Sequence, residues 1–324
     1  MTTIDGILNE LDEKFTPKKM QNNDLYMSYK RLGWLKKADR LLDCGSDLEF
    51  RMPADGTGEA KLHFANFCKD RLCVMCSWRR SMKIFGQVSK IMDIIQNQYA
   101  FIFITLTVQN CSGENLKETI NTLNTGFNLL SKTAQWKHAI KGCFKALEIT
   151  HHPEYLRNIE YHPHFHLICA VNKSYFTSRD YISHSEMVSL WQKACKLDYA
   201  PSVDVRTVKT EKTNKEEISI KKAVCEVAKY TIKSSDILKG DFEEIDRTVK
   251  AFINGITGRR LCSFTGIFKE TAKQLKLDDL NDGDLINTDN EEVRQDVAYI
   301  IVKYRWQIGY GYLQEYIQEV QYGE

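Results

Sequence analysis

The chain has 324 residues, 43% of them hydrophobic and 27% charged, with a formal net charge of +2. These values fit a globular protein of one large domain or two and lack the overall basic excess of a simple nucleic-acid binder. No apolar run is long enough to span a bilayer, the acidic start MTTIDGILNELDEKF lacks the apolar core of a secretory signal, and ten cysteines in such a chain point to a reducing cytoplasm rather than a disulfide scaffold. Residues 1–35 read as a helical, charged leader, and residues 36–95 as a Cys-rich module with the polar loop ADGTGE. Leu41 to Phe50 and Lys61 to Phe67 are predicted to pair as strands across that loop. Residues 96–270 form the main domain. It opens with a strand at 101–108, FIFITLTV, followed by a helix over 114–136 in which Leu116, Ile120, Leu123, Phe127 and Leu130 line one face. Strands follow at 143–150 and 164–171, then a helix at 184–196 capped by Ser183 or Ser185, then the alternating strand VDVRTV at 203–208. The order β-α-β-β-α-β is the split ferredoxin-like pattern of an α+β fold. It predicts an antiparallel sheet beneath two helices, with the other face free for ligands. A helix over 216–233 and a short strand in ITGRRLCSFTG come next. Residues 271–324 contain an acidic loop and a C-terminal hairpin whose aromatics are assigned to packing rather than to base stacking.

Charge is unevenly spread. Residues 61–90 carry Lys61, Lys69, Arg71, Arg79, Arg80, Lys83 and Lys90 against Asp70 alone, whereas residues 277–292 hold seven acids and no base. Three constellations carry chemistry. His164 and His166 lie at i and i+2 of a strand, so both imidazoles leave by one face, as a divalent metal would need. Glu148, in the neighbouring strand-like run CFKALEIT, completes a two-histidine, one-carboxylate set with open positions if the two strands pair. On the later helix, Glu226 and Tyr230 share a face at i and i+4, and Lys229 and Lys233 lie beside the tyrosine. A phenol has a pKa near 10, so a neighbouring cation is what would make Tyr230 useful as a nucleophile. Third, Cys68-x4-Cys73-x2-Cys76 is close to zinc-ligand spacing, with Cys44 or His63 as a fourth ligand; a reduced, packed cluster is the alternative. Trp78, Arg79 and Arg80, with Arg71, are candidate DNA contacts beside it. The Gly-rich loop DGTGEAK lacks the Gly-Lys-Ser/Thr of a nucleotide-binding loop.

Taken in order, FITLTV, LEIT with HPHFH, and EVAKYTIKSSD, with FCKDRLCVMCSWRR upstream and GDLINTD downstream, resemble the replication initiators (Rep) of rolling-circle plasmids of Gram-positive bacteria. The likeness is to the pUB110-like branch of the HUH endonucleases and runs from about residue 35 to about residue 290, where each motif alone is weak and the ordered set is specific. One departure is Val74, where the family usually has proline. The resemblance implies an HUH nicking core plus the N-terminal Cys-rich module, with the strand bearing Thr105 and Thr107 beside the active site. It implies that Tyr230 attacks the scissile phosphodiester and becomes joined to the 5′-phosphate, releasing a 3′-hydroxyl primer. His164, His166 and Glu148 would hold Mg²⁺ or Mn²⁺, and Glu226 would activate water to end the cycle. The implied partners are plasmid double-strand origin DNA and the host helicase, DNA polymerase and single-strand-binding protein, with a homo-oligomer at the origin and no membrane. Two other readings remain open at this level: an origin-binding protein without catalysis, and a metal-dependent phosphodiesterase that uses water.

Overall fold

The computed structural model describes residues 4–56, 58–152, 160–209, 217–228, 237–288 and 297–320. The chain divides into two units, Met1–Lys83 with Asp282–Glu324, and Ile84–Asn281. It starts with α1 (Ile4–Glu10), a π-helical turn over Leu11–Phe15, α2 (Thr16–Arg31) and α3 (Leu35–Asp43). Pro17 sits in the first turn of α2, where a missing N–H costs nothing. Gly33, at φ +74°, lets the chain turn between α2 and α3. Strands β1 (Asp47–Pro53) and β2 (Lys61–Ala65) and the long helix α4 (Val74–Ile95) follow. Leu41 therefore does not begin a strand: Ala38 and Leu41 are buried at helical spacing and belong to α3. Helix α4 is absent from the predicted elements. Next come β3 (Tyr99–Thr107), β4 (Cys111–Ser112), α5 (Leu116–Leu130), α6 (Ala134–Ala139), β5 (Ile140–His152), β6 (Glu160–Asn172), α7 (His184–Cys195), β7 (Val203–Lys209), β8 (Glu217–Ser219) and α8 (Ile220–Ala228). The last elements are α9 (Phe242–Ile256), β9 (Cys262–Thr265), α10 (Gly266–Gln274), β10 (Tyr299–Gln307) and β11 (Gly311–Val320). Among the described residues no helix is long and apolar enough to cross a membrane.

In the first unit, four antiparallel strands run in the order β11-β10-β1-β2. The C-terminal hairpin thus pairs with β1 and shares a unit with the cysteines, so the expected four-part division becomes two units. Its core is aromatic: Phe50 lies between Phe15 and Tyr304, at ring distances of 5.7 and 6.2 Å. Edge-to-face pairs of this kind add to the burial of their rings.

The second unit is built on a mixed sheet in the order β8-β7-β3-β6-β5-β9, with β4 also on β6; every pairing is antiparallel except β7 with β8. Helix α5 lies between β3 and β5 in the chain and α7 between β6 and β7, so the four long strands and these helices alternate as β-α-β-β-α-β. Ser183 is the cap of α7, in a reciprocal capping box with Glu186. Helices α5 and α7 cover one face. They meet at Gly126, where a Cβ would overlap Cys195 Sγ and stand 3.3 Å from the Trp191 ring. The Trp191 indole N–H in turn donates to the Thr107 carbonyl at 2.8 Å and ties α7 to the sheet. The opposite face is not free, contrary to expectation. Ile84, Val88, Ile91 and Met92 of α4, Val224 and Val227 of α8, and Phe268 of α10 pack there on Phe101, Phe103, Phe144, Ala146, Ile168 and Ala170. The predicted helix over 216–233 is also shorter at its start, because residues 217–219 add a parallel strand to β7.

Candidate functional site

The apolar face of the second sheet changes character toward one end of its strands. Strand β3 pairs with β6 so that Thr105 faces His166 and Thr107 faces His164. Strand β5 pairs with β6 so that Ala146 faces His166 and Glu148 faces His164. Facing residues of a ladder share a side of the sheet, so Thr105, Glu148, His164 and His166 converge on one surface. This row continues the one that packs under α4 and α8, beyond the apolar cluster.

Glu148 Oε2 lies 2.8 Å from His166 Nε2 and 3.5 Å from His164 Nε2, and the two Nε2 atoms are 3.1 Å apart. Octahedral ligands about 2.1 Å from a metal stand about 3.0 Å apart at adjacent positions, so these separations match one face of an octahedron. The ring tautomers agree with that use. His164 Nδ1 is 3.0 Å from the His162 carbonyl, which can only accept, so Nδ1 carries the proton and Nε2 keeps its lone pair. His166 Nδ1 is 3.1 Å from Thr105 Oγ1, a hydroxyl able to accept in the same way. Burial raises the Glu148 carboxyl, and the facing His164 and His166 rings lower it more strongly, well below the usual carboxylate range; that lowering needs protons on Nε2, and a cation bound at the same point would take their place. The donor set is thus one ionised carboxylate and two imidazole nitrogens, buried or nearly so. It suits a divalent cation with further positions open.

Asp204 and Arg206 share this face and escape a reading based on histidines alone. Asp204 is opposite Thr105 and Arg206 opposite Phe103, and Arg206 Nε donates to Asp204 Oδ2 at 2.7 Å. The alternation of VDVRTV puts them on one side, and the pairing of β7 with β3 decides which side. Glu226 lies half-buried on α8, whose Ala223, Val224 and Val227 are buried in the cluster above the sheet. Lys229, Tyr230 and Lys233 lie outside the described residues.

The four cysteines come together in the first unit: Cys44, Cys68, Cys73 and Cys76 are all buried, and their sulfurs lie within 4.8 Å of one another. Cys44 is the fourth member; His63 is exposed on β2. The arginines do not take the part expected of them. Arg79 is buried and donates to the carbonyls of Leu285 and Ile286, and Arg80 is buried and donates to those of Lys69 and Asp70. Both hold the chain in place rather than offering a surface to DNA. Trp78 packs edge-on against Phe15 at 5.0 Å with Lys18 above its ring. Arg71 is half-buried.

The profile of a family described as replication protein, Rep_1, matches residues 59–313 of the chain. The chain belongs to this replication protein family. It is 39% identical to a Protein rep of a Bacillus species over 297 residues, 88% of this chain and 94% of the relative. It is 40% identical to a Protein rep of Bacillus amyloliquefaciens over 279 residues, 81% of each chain. A third Protein rep, from Lentilactobacillus hilgardii, is 38% identical over 305 residues, 92% of this chain and 93% of that one. The family membership agrees with the resemblance drawn from the motifs. No solved structure matches the chain. The matched residues include Glu148, His164, His166 and Tyr230, so both constellations of the second unit lie inside the family region.

Proposed function

We propose that the protein is a plasmid rolling-circle replication initiator that nicks one strand of its origin through a 5′-phosphotyrosyl intermediate. The sheet of the second unit is read as the ferredoxin-like HUH core. The observation that carries the reading is the convergence of Glu148, His164 and His166 on one face, in a replication-family chain in which Tyr230 follows α8 in sequence. A Mg²⁺ or Mn²⁺ ion on these three residues would polarise the scissile phosphate and stabilise the charge of its transition state. His162 and Thr105 keep the two Nε2 lone pairs turned to that point.

Tyr230 Oη attacks the phosphorus, the bond to the 3′-oxygen breaks, and the 3′-hydroxyl is released as primer. Lys229 and Lys233 favour the phenolate and hold the phosphate. Once Tyr230 carries the 5′ end, a second cleavage needs another nucleophile, and Glu226, one turn earlier, takes a proton from water to provide it. With no Gly-rich nucleotide loop of the required form, duplex opening falls to a host helicase, and extension to a host polymerase with single-strand-binding protein. Origin DNA is the partner, with several copies of the chain assembled on it in the cytoplasm.

The test is incubation with supercoiled plasmid carrying the candidate origin. A Mn²⁺-dependent nick with protein on the 5′ end is expected, and Tyr230→Phe should bind the DNA yet leave it closed. Metal-dependent cleavage without an adduct would instead assign a phosphodiesterase that uses water. Binding without cleavage would assign an origin-binding protein.

A further inference from the structure

Nicking does not account for the cysteine cluster. Cys44 ends α3, Cys68 lies in the loop after β2, Cys73 immediately precedes α4 and Cys76 lies in its first turn. Their sulfurs are separated by 3.5 Å (Cys44 to Cys73), 3.6 Å (Cys44 to Cys76) and 3.7 Å (Cys68 to Cys76). Four thiolates about 2.3 Å from a tetrahedral zinc stand about 3.8 Å apart, whereas a disulfide needs about 2.0 Å. All four cysteines are free and buried.

The surroundings are arranged for negative sulfur. The backbone N–H of Cys68 points at Cys44 Sγ (3.3 Å), that of Asp70 at Cys68 Sγ (3.4 Å) and that of Cys76 at Cys73 Sγ (3.5 Å). Asn22 adds a fourth donor. Its Oδ1 accepts from the Val74 N–H at 2.9 Å, which fixes the amide and turns Nδ2 to Cys73 Sγ at 3.3 Å. Lys19 is buried nearby, and its ammonium donates to three neutral acceptors, the carbonyls of Leu42 and Cys44 and the hydroxyl of Ser46. The Asp43 carboxylate acts on this buried cation, and four thiolates around one Zn²⁺, with a net charge of −2, would add to the negative charge near it.

The loop is held from outside as well. Lys69 adopts φ +59°, a left-handed conformation unusual for a side-chain-bearing residue, which turns the loop's N–H groups inward. Arg40 donates to the Cys68 carbonyl at 2.6 Å, Arg80 donates to those of Lys69 and Asp70, and the Asp70 carboxylate accepts from Tyr29 and the Leu72 N–H. The two arginines thus take up the carbonyls on one side of the loop while its amides face the sulfurs on the other. Ordinary packing of reduced thiols would require neither set.

We infer that Cys44, Cys68, Cys73 and Cys76 hold a structural Zn²⁺ that ties α3, the loop after β2 and the start of α4 into one module. All four tetrahedral positions are taken by the chain, so this ion does no chemistry.

The test is metal analysis of the purified full-length chain, without an affinity tag, by plasma mass spectrometry. About one zinc per chain is expected, and it should survive gel filtration. The double variant His164→Ala/His166→Ala should keep this zinc, so the result does not depend on nicking. Cys73→Ser should lose it. Because that variant could misfold, the wild type exchanged with Co²⁺ gives a second measurement, in which intense tetrahedral d–d bands and a thiolate-to-cobalt charge-transfer band are expected. Zinc below about half an equivalent that is not restored by refolding with Zn²⁺ would overturn the inference. So would an octahedral cobalt spectrum, or iron in place of zinc.

Discussion

The two groups of side chains proposed as metal ligands are built in opposite ways. In the first unit four sulfurs come from three separate segments, are enclosed, and receive N–H donors from their own loop and from Asn22. In the second unit three ligands come from two paired strands, and their number leaves coordination positions open. A closed tetrahedron contributes stability and no reaction, whereas an open face contributes reaction and little stability. Damage to one site should therefore appear in melting and damage to the other in turnover.

That contrast can be broken or sharpened by substitution. The largest effect is expected from Cys73→Ser. Structural zinc supplies about 10 kcal/mol or more in small modules, so losing one thiolate should unfold much of the first unit, as read by calorimetry and limited proteolysis. Prolonged chelation of the wild type should lower its melting temperature in the same direction. A Cys73→Ser protein that melts like wild type would erase the distinction between the sites. His166→Ala should do the reverse, cutting nicking by more than about 100-fold, since even outer-shell changes at metal sites cost about 10- to 100-fold. Its melting temperature should stay within a few degrees, about what 1 kcal/mol gives.

Gly126→Ala checks whether the open site depends on the packing behind it. A methyl group there overlaps Cys195 on α7, and overpacking of this kind costs about 1–3 kcal/mol. Denaturant unfolding should report that loss while the Mn²⁺ dependence of nicking stays unchanged. The smallest effect is expected from Thr105→Val, which keeps the shape but removes the hydroxyl 3.1 Å from His166 Nδ1. Mn²⁺ affinity, read from the metal dependence of nicking, should weaken about tenfold. No change would show that His166 is oriented without Thr105.

Much of the second unit was legible in the sequence because strand periodicity is local. The alternation in HPHFHLICAV places His164 and His166 on one face whatever the rest of the chain does, and the apolar spacing from Leu116 to Leu130 defines α5. Glu148 needed one further step, the pairing of consecutive strands, which is common enough to expect. What covers the other face was not legible. Helix α4 precedes the sheet in sequence, and its packing signal, Ile84, Val88 and Ile91, directly follows a run rich in cysteine and arginine. The fourth cysteine was equally hidden: Cys44 and His63 are both plausible by spacing, and only the turn after α3 brings Cys44 to the cluster. Arg79 and Arg80 teach a similar lesson. A basic pair in sequence suggests phosphate, yet here loop carbonyls take up both guanidinium groups. Charge in a sequence counts donors and says nothing of which acceptors the fold supplies.

The central claim is that Tyr230 makes the covalent bond to DNA with help from the Glu148, His164 and His166 site. The most direct test is to react the protein with Mn²⁺ and an origin oligonucleotide whose 5′ portion, ending in the new 3′-hydroxyl, diffuses away after cleavage, then digest it and map the adduct by mass spectrometry. The account predicts a nucleotide 5′-phosphate on the peptide carrying Tyr230, absent when His166 is alanine. Cleaved DNA with no modified peptide, or a nucleotide on any other residue, would contradict it.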